Sequence, residues 1–323
     1  MEGAACFPTH RDVEKKSSPL DKRVFGSGTW DFRGWGDSQP KQKPSVTPSA
    51  CNEGQRYCQR RPVRVVVKLG GSLLTDLDLL HRMVAQLSAI QGANHQVIVV
   101  HGGGKQIKET LERLAIPSRF HQGLRVTDAP TMRVVQMVLS GWVNKEIVAA
   151  FHQLGRKAVG LCGGDGGSFV ARKYQPADEP FDYGYVGEVF QGDPKLVELL
   201  LGEGYLPVMA CTAIGMDGAY YNINADEMAA AAAIFCKAER LVFLTDVSGV
   251  LDERRAVIPQ LSREKMAQLR TSGVISEGML PKTRACERTL AGGIQAIHIV
   301  GGKEPDCLLR VLLKNESLGT EIV

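Results

Sequence analysis

Short apolar runs alternate with amphipathic stretches from Val63 to the end of the chain. The first run, residues 63–69, is rich in β-branched residues and ends at a Gly-Gly pair, as is typical of a buried parallel strand. The next stretch, residues 77–90, carries apolar residues at helical spacing. Asp76 precedes it and can cap a helix N-terminus. The pattern therefore predicts a strand followed by a helix.

The same alternation continues along the chain. It predicts further strands at residues 96–100, 158–161, 206–211, 240–245 and 295–300, and an exposed hairpin strand at 183–190. It predicts helices at about 105–114, from 128 onward, and at 194–201, 227–235 and 263–272. We therefore expect the α/β class: a three-layer αβα sandwich with a mainly parallel open sheet.

Five predicted strands run directly into glycines, at 68–71, 101–104, 161–164, 246–249 and 300–302. Parallel strands bring their carboxyl ends to one edge of a sheet, where open α/β folds bind ligands. Backbone N–H groups in glycine-rich turns bind anions. We therefore expect a wide anion-binding cleft along this edge.

Residues 1–62 differ from the rest, with Gly, Pro, Ser, Gln and charged residues and no lasting apolar period. This composition predicts a disordered N-terminal extension. It lacks the apolar stretch of a secretory signal. Its acidic residues argue weakly against an organelle transit peptide.

Charge and cysteine usage exclude several classes of protein. Residues 1–62 carry 11 basic and 7 acidic residues, and residues 63–323 carry 28 of each, so no basic nucleic-acid-binding body is expected. No apolar run reaches the roughly 18–20 residues of a membrane helix. The eight cysteines form no C-x-x-C pair and no zinc-like spacing with histidine. We expect no metal site, reduced thiols and a cytoplasmic protein.

The glycine-rich turns hold candidate anion sites. His101 is followed by three glycines at the start of a predicted helix, which forms either an anion-binding nest or a tight turn. Lys68, Gly70 and Gly71 form either a phosphate site or a core strand with a solvated lysine. The chain lacks the P-loop, the G-x-G-x-x-G strand turn and the G-x-S-x-G motif.

Four polar residues lie next to these turns. Arg125, placed in a loop, can grip a carboxylate or simply be a surface charge. Asp226 opens an Ala-rich helix and can serve as a cap or as a functional group. Asn222 lies just before that helix. Lys282 follows Met-Leu-Pro in a predicted loop, where a solvated lysine is the common role.

Taken together, residues 63–323 resemble the amino-acid kinase family. The landmarks are Lys68-Leu69-Gly70-Gly71, His101-Gly102-Gly103-Gly104, Gly123-Leu124-Arg125-Val126-Thr127, Asn222-Ile223-Asn224-Ala225-Asp226, Thr245-Asp246-Val247-Ser248-Gly249-Val250 and Gly278-Met279-Leu280-Pro281-Lys282. Each motif is weak alone, but their order and spacing are specific. The resemblance implies a two-lobed fold.

The resemblance implies transfer of the γ-phosphoryl group of ATP, bound with Mg²⁺, to the side-chain carboxylate of N-acetyl-L-glutamate, on the route to arginine. Lys68 and Lys282 would be catalytic, with Asp226 holding them. The implied substrate-binding residues are Gly103, Gly104, Arg125 and Asn222. The implied nucleotide-binding residues are Gly70, Gly71, Asp246, Val247, Ser248, Gly249, Val250, Leu251, Val274, Ile275 and Ser276.

This chemistry suits the residues present. A carboxylate acceptor is already an anion at neutral pH, so the reaction requires no general base. The difficulty is the repulsion between two anions, which positioning and positive charge relieve.

The resemblance also implies an organisation of the chain. An N-lobe, residues 63–238, would bind the acceptor and dimerise, and a C-lobe, residues 239–323, would bind ATP. Arginine-inhibited relatives carry an amphipathic helix before the first strand, whereas residues 54–62 here are polar and basic. We therefore predict a homodimer without strong arginine inhibition. No residue supports a PII-type regulatory partner.

Three alternatives fit less well. An aspartate kinase would carry a regulatory domain after the kinase lobes. A kinase acting on carrier-linked aminoadipate is disfavoured by the Gly-Leu-Arg-Val-Thr segment. A non-catalytic sensor of the same fold is disfavoured because Lys68, Lys282 and Asp226 are all present.

Overall fold

The computed structural model describes residues 61–176, 180–275, 279–294 and 296–323. The predicted N-terminal extension therefore lies, apart from its last two residues, outside the described chain. The strands of the described chain are β1 (Arg64–Leu69), β2 (Gln96–His101), β3 (Arg119–His121), β4 (Leu124–Val126), β5 (Ala158–Cys162), β6 (Phe169–Lys173), β7 (Val186–Gly192), β8 (Leu206–Ala210), β9 (Thr212–Gly215), β10 (Tyr220–Ile223), β11 (Arg240–Thr245), β12 (Gln260–Leu261), β13 (Ala296–Gly301) and β14 (Thr320–Ile322).

Helices connect most of these strands. They are α1 (Leu77–Gly92), α2 (Gly104–Arg113), α3 (Ala129–Gln136), α4 (Asn144–Gln153), α5 (Lys195–Gly202), α6 (Ala225–Phe235), α7 (Arg263–Thr271), α8 (Leu280–Ala291) and α9 (Cys307–Leu312). Asp76 caps α1 as predicted, because its carboxylate accepts a hydrogen bond of 3.0 Å from the Leu79 N–H. Among the described residues, no helix is both long and apolar enough to span a membrane.

The main sheet confirms the predicted α/β class. Its strand order is β12-β14-β13-β11-β1-β2-β8-β5. Only β14 and β13 pair antiparallel within this sheet, while β1 pairs parallel with both β2 and β11. Val66 and Val67 of β1 are fully buried, as expected for a strand covered on both faces. The five glycine-ended strands therefore deliver their carboxyl ends to one edge, as predicted.

Alanines bring α6 close to this sheet. Its residues 229–233 are all alanine and all fully buried. Small side chains let the helix backbone approach the strands beneath it, at a cost of little side-chain entropy. As a result, the N-terminus of α6 lies beside the carboxyl end of β1.

Beside the main sheet lies a small β-structure that the sequence pattern largely missed. Strands β6, β7, β9 and β10 form a closed barrel. Segment 183–190 was predicted to be an exposed hairpin strand, and its predicted exposure is wrong. Strand β7 begins only at Val186, and Tyr183, Val186 and Val189 are buried. Burial follows from the closed barrel, which gives β7 an interior face.

Two further predictions are wrong locally. Arg125 lies in strand β4, which pairs antiparallel with β3, and not in a loop. Gln122 and Gly123 both have positive φ, which allows a two-residue hairpin turn. Lys282 lies in the first turn of α8 and not in a loop. Pro281, whose fixed φ suits the start of a helix, accounts for that position.

The helix that begins at Ala129 contains a π-helical segment, Met137–Val143, before α4. This segment packs against the glycine turn that follows β2. A Cβ atom added to Gly103 would lie 2.7 Å from Leu139 Cδ2 and 3.4 Å from Val143 Cγ2. A side chain at Gly103 would therefore displace the end of the Leu139 side chain.

Replacement of Gly319 by alanine should destabilise the fold. Gly319 has a φ of +73°, and an added Cβ would overlap the carbonyl oxygen of Ile299 in β13. Backbone strain and overpacking together should lower the free energy of unfolding by about 3 kcal/mol or more. Urea denaturation of the Gly319→Ala variant measures this loss.

Gly218→Ala is the matched control for this substitution. Gly218 has a φ of +79°, but an added Cβ would meet no atom within 4 Å. The free energy of unfolding of Gly218→Ala should therefore fall by only about 1 kcal/mol, the cost of the left-handed backbone conformation for alanine. Equal losses in the two variants would contradict the proposed overlap at Gly319.

Candidate active site

Three charged side chains from distant parts of the chain meet at the carboxyl edge of the main sheet. Lys68 Nζ lies 2.9 Å from Asp226 Oδ1. Lys282 Nζ lies 3.1 Å from Asp226 Oδ1 and 3.2 Å from Asp226 Oδ2. The side chains are 11% (Lys68), 11% (Asp226) and 7% (Lys282) exposed. One carboxylate therefore fixes two ammonium groups in a nearly buried site.

The start of α6 explains the position of the carboxylate. Asn224 caps the helix and accepts hydrogen bonds from the N–H groups of Asp226, at 2.8 Å, and Glu227, at 3.4 Å. Asp226 thus occupies the first turn, where the helix dipole favours negative charge. The two lysines approach from the ends of β1 and α8.

The two ammonium groups keep Asp226 ionised. Burial acts to raise the pKa of this carboxyl, but Lys68 and Lys282 outweigh it and lower the pKa to about 2. Burial lowers the pKa of the Lys282 ammonium, and the neighbouring charge of Lys68 adds to that effect. The Lys282 Nζ also lies 5.0 Å from the ring centroid of Phe243, a cation–π contact.

Glycine turns adjoin this cluster. A Cβ on Gly70 would lie 2.8 Å from the carbonyl oxygen of Leu244, so the turn after β1 packs tightly on the end of β11. A Cβ on Gly71 would lie 4.0 Å from the backbone nitrogen of Gly104. The turns after β1 and β2 therefore meet. Gly104 has open space around its Cα, so packing does not explain its lack of a side chain.

His101 anchors the second glycine turn from within the core. Its Nδ1 lies 2.9 Å from the carbonyl oxygen of Gly102, and its Nε2 lies 3.0 Å from Asn144 Nδ2. Burial lowers the pKa of His101 to about 4, against an opposing hydrogen bond to Gly102. The imidazole is therefore neutral at physiological pH and links the turn to α4.

A cavity of about 170 Å³ brings together the four residues predicted to bind substrate. It opens between the glycine turn, β4 and β10, and its lining includes Gly103, Gly104, Arg125 and Asn222. Arg125 is buried, donates to the carbonyl oxygen of Gly104 at 2.9 Å and also donates to the Ser118 hydroxyl. Its guanidinium carbon lies 4.6 Å from the centroid of Phe120. The cation is therefore held at the cavity wall.

Asn222 is placed by β10. Its Nδ2 donates to the Thr127 hydroxyl at 3.2 Å, directly after β4. The amide thus joins the barrel to the hairpin on either side of the cavity.

The segments predicted to bind nucleotide differ in their exposure. Asp246, Val247 and Ser248 follow β11 and are exposed, whereas the side chains of Val250 and Ile275 are in the core. Among the described residues, no hydrogen bond or ion pair that the structure shows joins Val274 or Ile275 to either lysine. Gly249 is buried and Leu251 half-buried. Ser276 lies outside the described residues.

The sequence pattern missed several residues of the site. Leu139, Phe120 and Cys211 line the small cavity as well, together with Asn224 of the motif that was recognised around Asp226. The Gln122-Gly123 turn, flanked by alternating residues, was the available signal for the hairpin that carries Phe120. Leu139 belongs to the π-helical segment, for which the sequence offers no signal. Within the described residues, no cluster of three or more His, Cys, Asp or Glu side chains could hold a metal ion.

This arrangement is suited to bind and stabilise transferring anions. Two fixed cations and two glycine turns lie at one edge of the sheet, next to a cavity with a buried arginine. Such preorganised charge in a water-poor site stabilises negative charge that develops in a transition state.

A family match and two relatives of high similarity point to one family of proteins. Residues 63–301 match the family described as the amino acid kinase family. The chain is 41% identical over 283 residues to an acetylglutamate kinase of Prochlorococcus marinus, covering 86% of this chain and 91% of that one. It is 42% identical over 263 residues to an acetylglutamate kinase of Syntrophomonas wolfei, covering 80% and 91%.

A solved structure also matches. The protein smu.665 from Streptococcus mutans superposes with a TM-score of 0.68 at 30% identity. The match covers 80% of this chain and 98% of that chain.

Acid should remove the stabilisation that ionised Asp226 contributes. Its pKa is about 2 in the folded protein and about 4 in an unfolded chain. Because the folded pKa is the lower one, the contribution is complete above pH ~4 and is lost as the pH falls through about 2. It amounts to on the order of 2 kcal/mol.

The measurement compares urea unfolding of the wild type and Asp226→Asn from pH 5 to pH 2. The difference in free energy of unfolding should shrink by about that amount. A difference that stays constant over this range would show that the two lysines do not lower the pKa of Asp226.

Proposed function

The chain belongs to the amino acid kinase family, and we propose that Lys68, Lys282 and Asp226 are the groups through which it phosphorylates a carboxylate. It is a phosphotransferase that moves the γ-phosphoryl group of ATP to the side-chain carboxylate of N-acetyl-L-glutamate, a step of arginine biosynthesis. The observation that carries the role of the three residues is the carboxylate of Asp226 between two ammonium groups.

The acceptor would occupy the small cavity. Arg125 offers a guanidinium at the cavity wall and can bind a carboxylate of the substrate. Asn222 can donate to or accept from the amide of an acetylated amino acid. The backbone N–H groups of Gly103 and Gly104 would face the carboxylate that accepts phosphate.

Transfer would proceed by attack of an acceptor carboxylate oxygen on the γ-phosphorus. A new O–P bond forms as the bond from phosphorus to the β,γ-bridging oxygen breaks, and ADP leaves. No proton has to be removed from the acceptor. Lys68 and Lys282 would neutralise the charge of the phosphoryl oxygens while Asp226 keeps both amines in place.

ATP would enter as its magnesium complex, in which phosphate oxygens supply ligands to Mg²⁺. Gly70 and Gly71 would bind phosphate oxygens through backbone N–H groups. The remaining nucleotide contacts would come from residues 246–251 and 274–276, where Val250 and Ile275 have only backbone groups to offer because their side chains are buried. In this proposal, residues 63–238 form the acceptor-binding lobe and residues 239–323 the nucleotide-binding lobe.

We further propose a homodimer and a cytoplasmic location. Met137 and Trp142 of the π-helical segment are 58% and 44% exposed, an apolar surface suited to a second copy of the chain. Five buried cysteines among the described residues are free thiols, as expected in a reducing compartment.

Removal of either lysine should slow the reaction strongly. Loss of one preorganised charge from a transition state costs roughly 10²–10³ in rate. We expect this decrease in kcat for Lys68→Ala and for Lys282→Ala, measured as ADP release with N-acetyl-L-glutamate and MgATP.

Lys195→Ala removes an exposed lysine on α5 and serves as the control, with unchanged turnover expected. Near-normal kcat in either active-site variant would contradict the assigned roles. Faster ADP release with glutamate, aspartate or aminoadipate than with N-acetyl-L-glutamate would contradict the substrate.

A charge on the π-helical segment should separate the dimer. Light scattering should give the mass of a dimer for the wild type and of a monomer for Trp142→Glu, because an unpaired charge cannot be buried in an apolar interface. Leu199→Glu places the same charge on an exposed leucine of α5, 63% exposed, and should remain dimeric. A wild-type hexamer, or a dimeric Trp142→Glu, would contradict this proposal.

A further inference from the structure

The helix that carries Lys282 is tied to α6 by a second ion pair. Arg288 Nη1 of α8 lies 3.1 Å from Glu227 Oε2 of α6. Glu227 directly follows Asp226, and Arg288 lies further along the helix that begins beside Lys282. Two ion pairs, Asp226–Lys282 and Glu227–Arg288, therefore connect the same two helices.

The same arginine also reaches the barrel. Its Nη2 donates to the carbonyl oxygen of Val189 in β7. The side chains of Arg288 and Glu227 are 30% and 25% exposed, so solvent screens this pair only in part. Burial raises the pKa of Glu227, and the charge of Arg288 opposes that rise. Arg288 thus fixes α8 against α6 and β7 at once.

This arrangement restricts where the Lys282 ammonium can lie. A lysine side chain is a flexible four-carbon stem, so its charge is located only as well as its helix is. Buried residues of α8 such as Ala285 and Cys286 already pack in the core. The Glu227–Arg288 pair adds a second directional contact between α6 and α8, through the rigid guanidinium fork, and so fixes the register of the two helices more closely.

We propose that Glu227 and Arg288 are positioning residues that hold α8, and with it Lys282, in register with Asp226. The inference rests on the proposed role of Lys282 in phosphoryl transfer. Neither side chain lines the small cavity of the acceptor. Both line a larger cavity of about 650 Å³ that also includes Asn224 and Pro281. A change in kcat without a change in KM is therefore the readout that separates an effect through Lys282 from the loss of a substrate contact.

Removal of this ion pair should lower kcat and leave substrate binding intact. A misplacement of a charged group by a fraction of an ångström costs about tenfold in rate. We expect this decrease for Arg288→Gln and Glu227→Gln, with KM for both substrates within about twofold of wild type. Arg288→Lys keeps the charge opposite Glu227 but loses the fork, so it should recover part of the rate.

Glu287→Gln is the matched control. Glu287 pairs with Arg270 of α7, on another side of α8, and these side chains are 25% and 29% exposed. The control should lose a similar amount of thermal stability while kcat stays within about twofold of wild type. If Arg288→Gln and Glu227→Gln lower the melting temperature as the control does but leave kcat unchanged, the inference is overturned.

A double variant separates positioning from general destabilisation. In a Lys282→Ala background, Arg288→Gln should cause no further decrease in kcat, because both changes act on one group. A further tenfold decrease there would overturn the inference. Near-normal turnover of Lys282→Ala alone would overturn both the role of Lys282 and this inference. A slow Lys282→Ala with a fully active Arg288→Gln would overturn the inference alone.

Discussion

The site depends on one carboxylate that neutralises two ammonium groups. Without Asp226, Lys68 and Lys282 would be like charges in a nearly buried space, an arrangement that costs several kcal/mol. With it, both Nζ atoms lie close together, at 2.9 Å and 3.1 Å from one oxygen. Three features bring this carboxylate to the sheet edge. They are the cap at Asn224, the buried alanines 229–233 of α6 and the parallel pairing of β1.

Much of the fold follows from local signals. Continuous apolar runs identified β1, β2 and β11, and side-chain oxygens identified the starts of α1 and α3. The rule that parallel strands end at one edge placed Lys68 correctly relative to the glycine turns. These features depend on nearest neighbours in sequence or on the twist and handedness common to α/β sheets.

Other features depend on tertiary contacts and could not be predicted in this way. The strands of the barrel are short, and β7 becomes buried only because the barrel closes. The π-helical segment has no known compositional signal. Glu227 and Arg288 are 61 positions apart in the sequence and neither belongs to a glycine turn, so neither residue stood out. For Lys282, Pro281 was a usable signal of a helix start that the loop assignment overlooked.

The central position of β1 has a consequence for the nascent chain. β1 is the first strand of the described chain, yet it pairs on one side with β11, which the ribosome delivers much later. Until then, a valine-rich strand has one open edge available to other chains. Long-range pairing of this kind slows folding and exposes aggregation-prone surface. A molecular chaperone that shields this edge during synthesis would therefore protect the strand on which Lys68 lies.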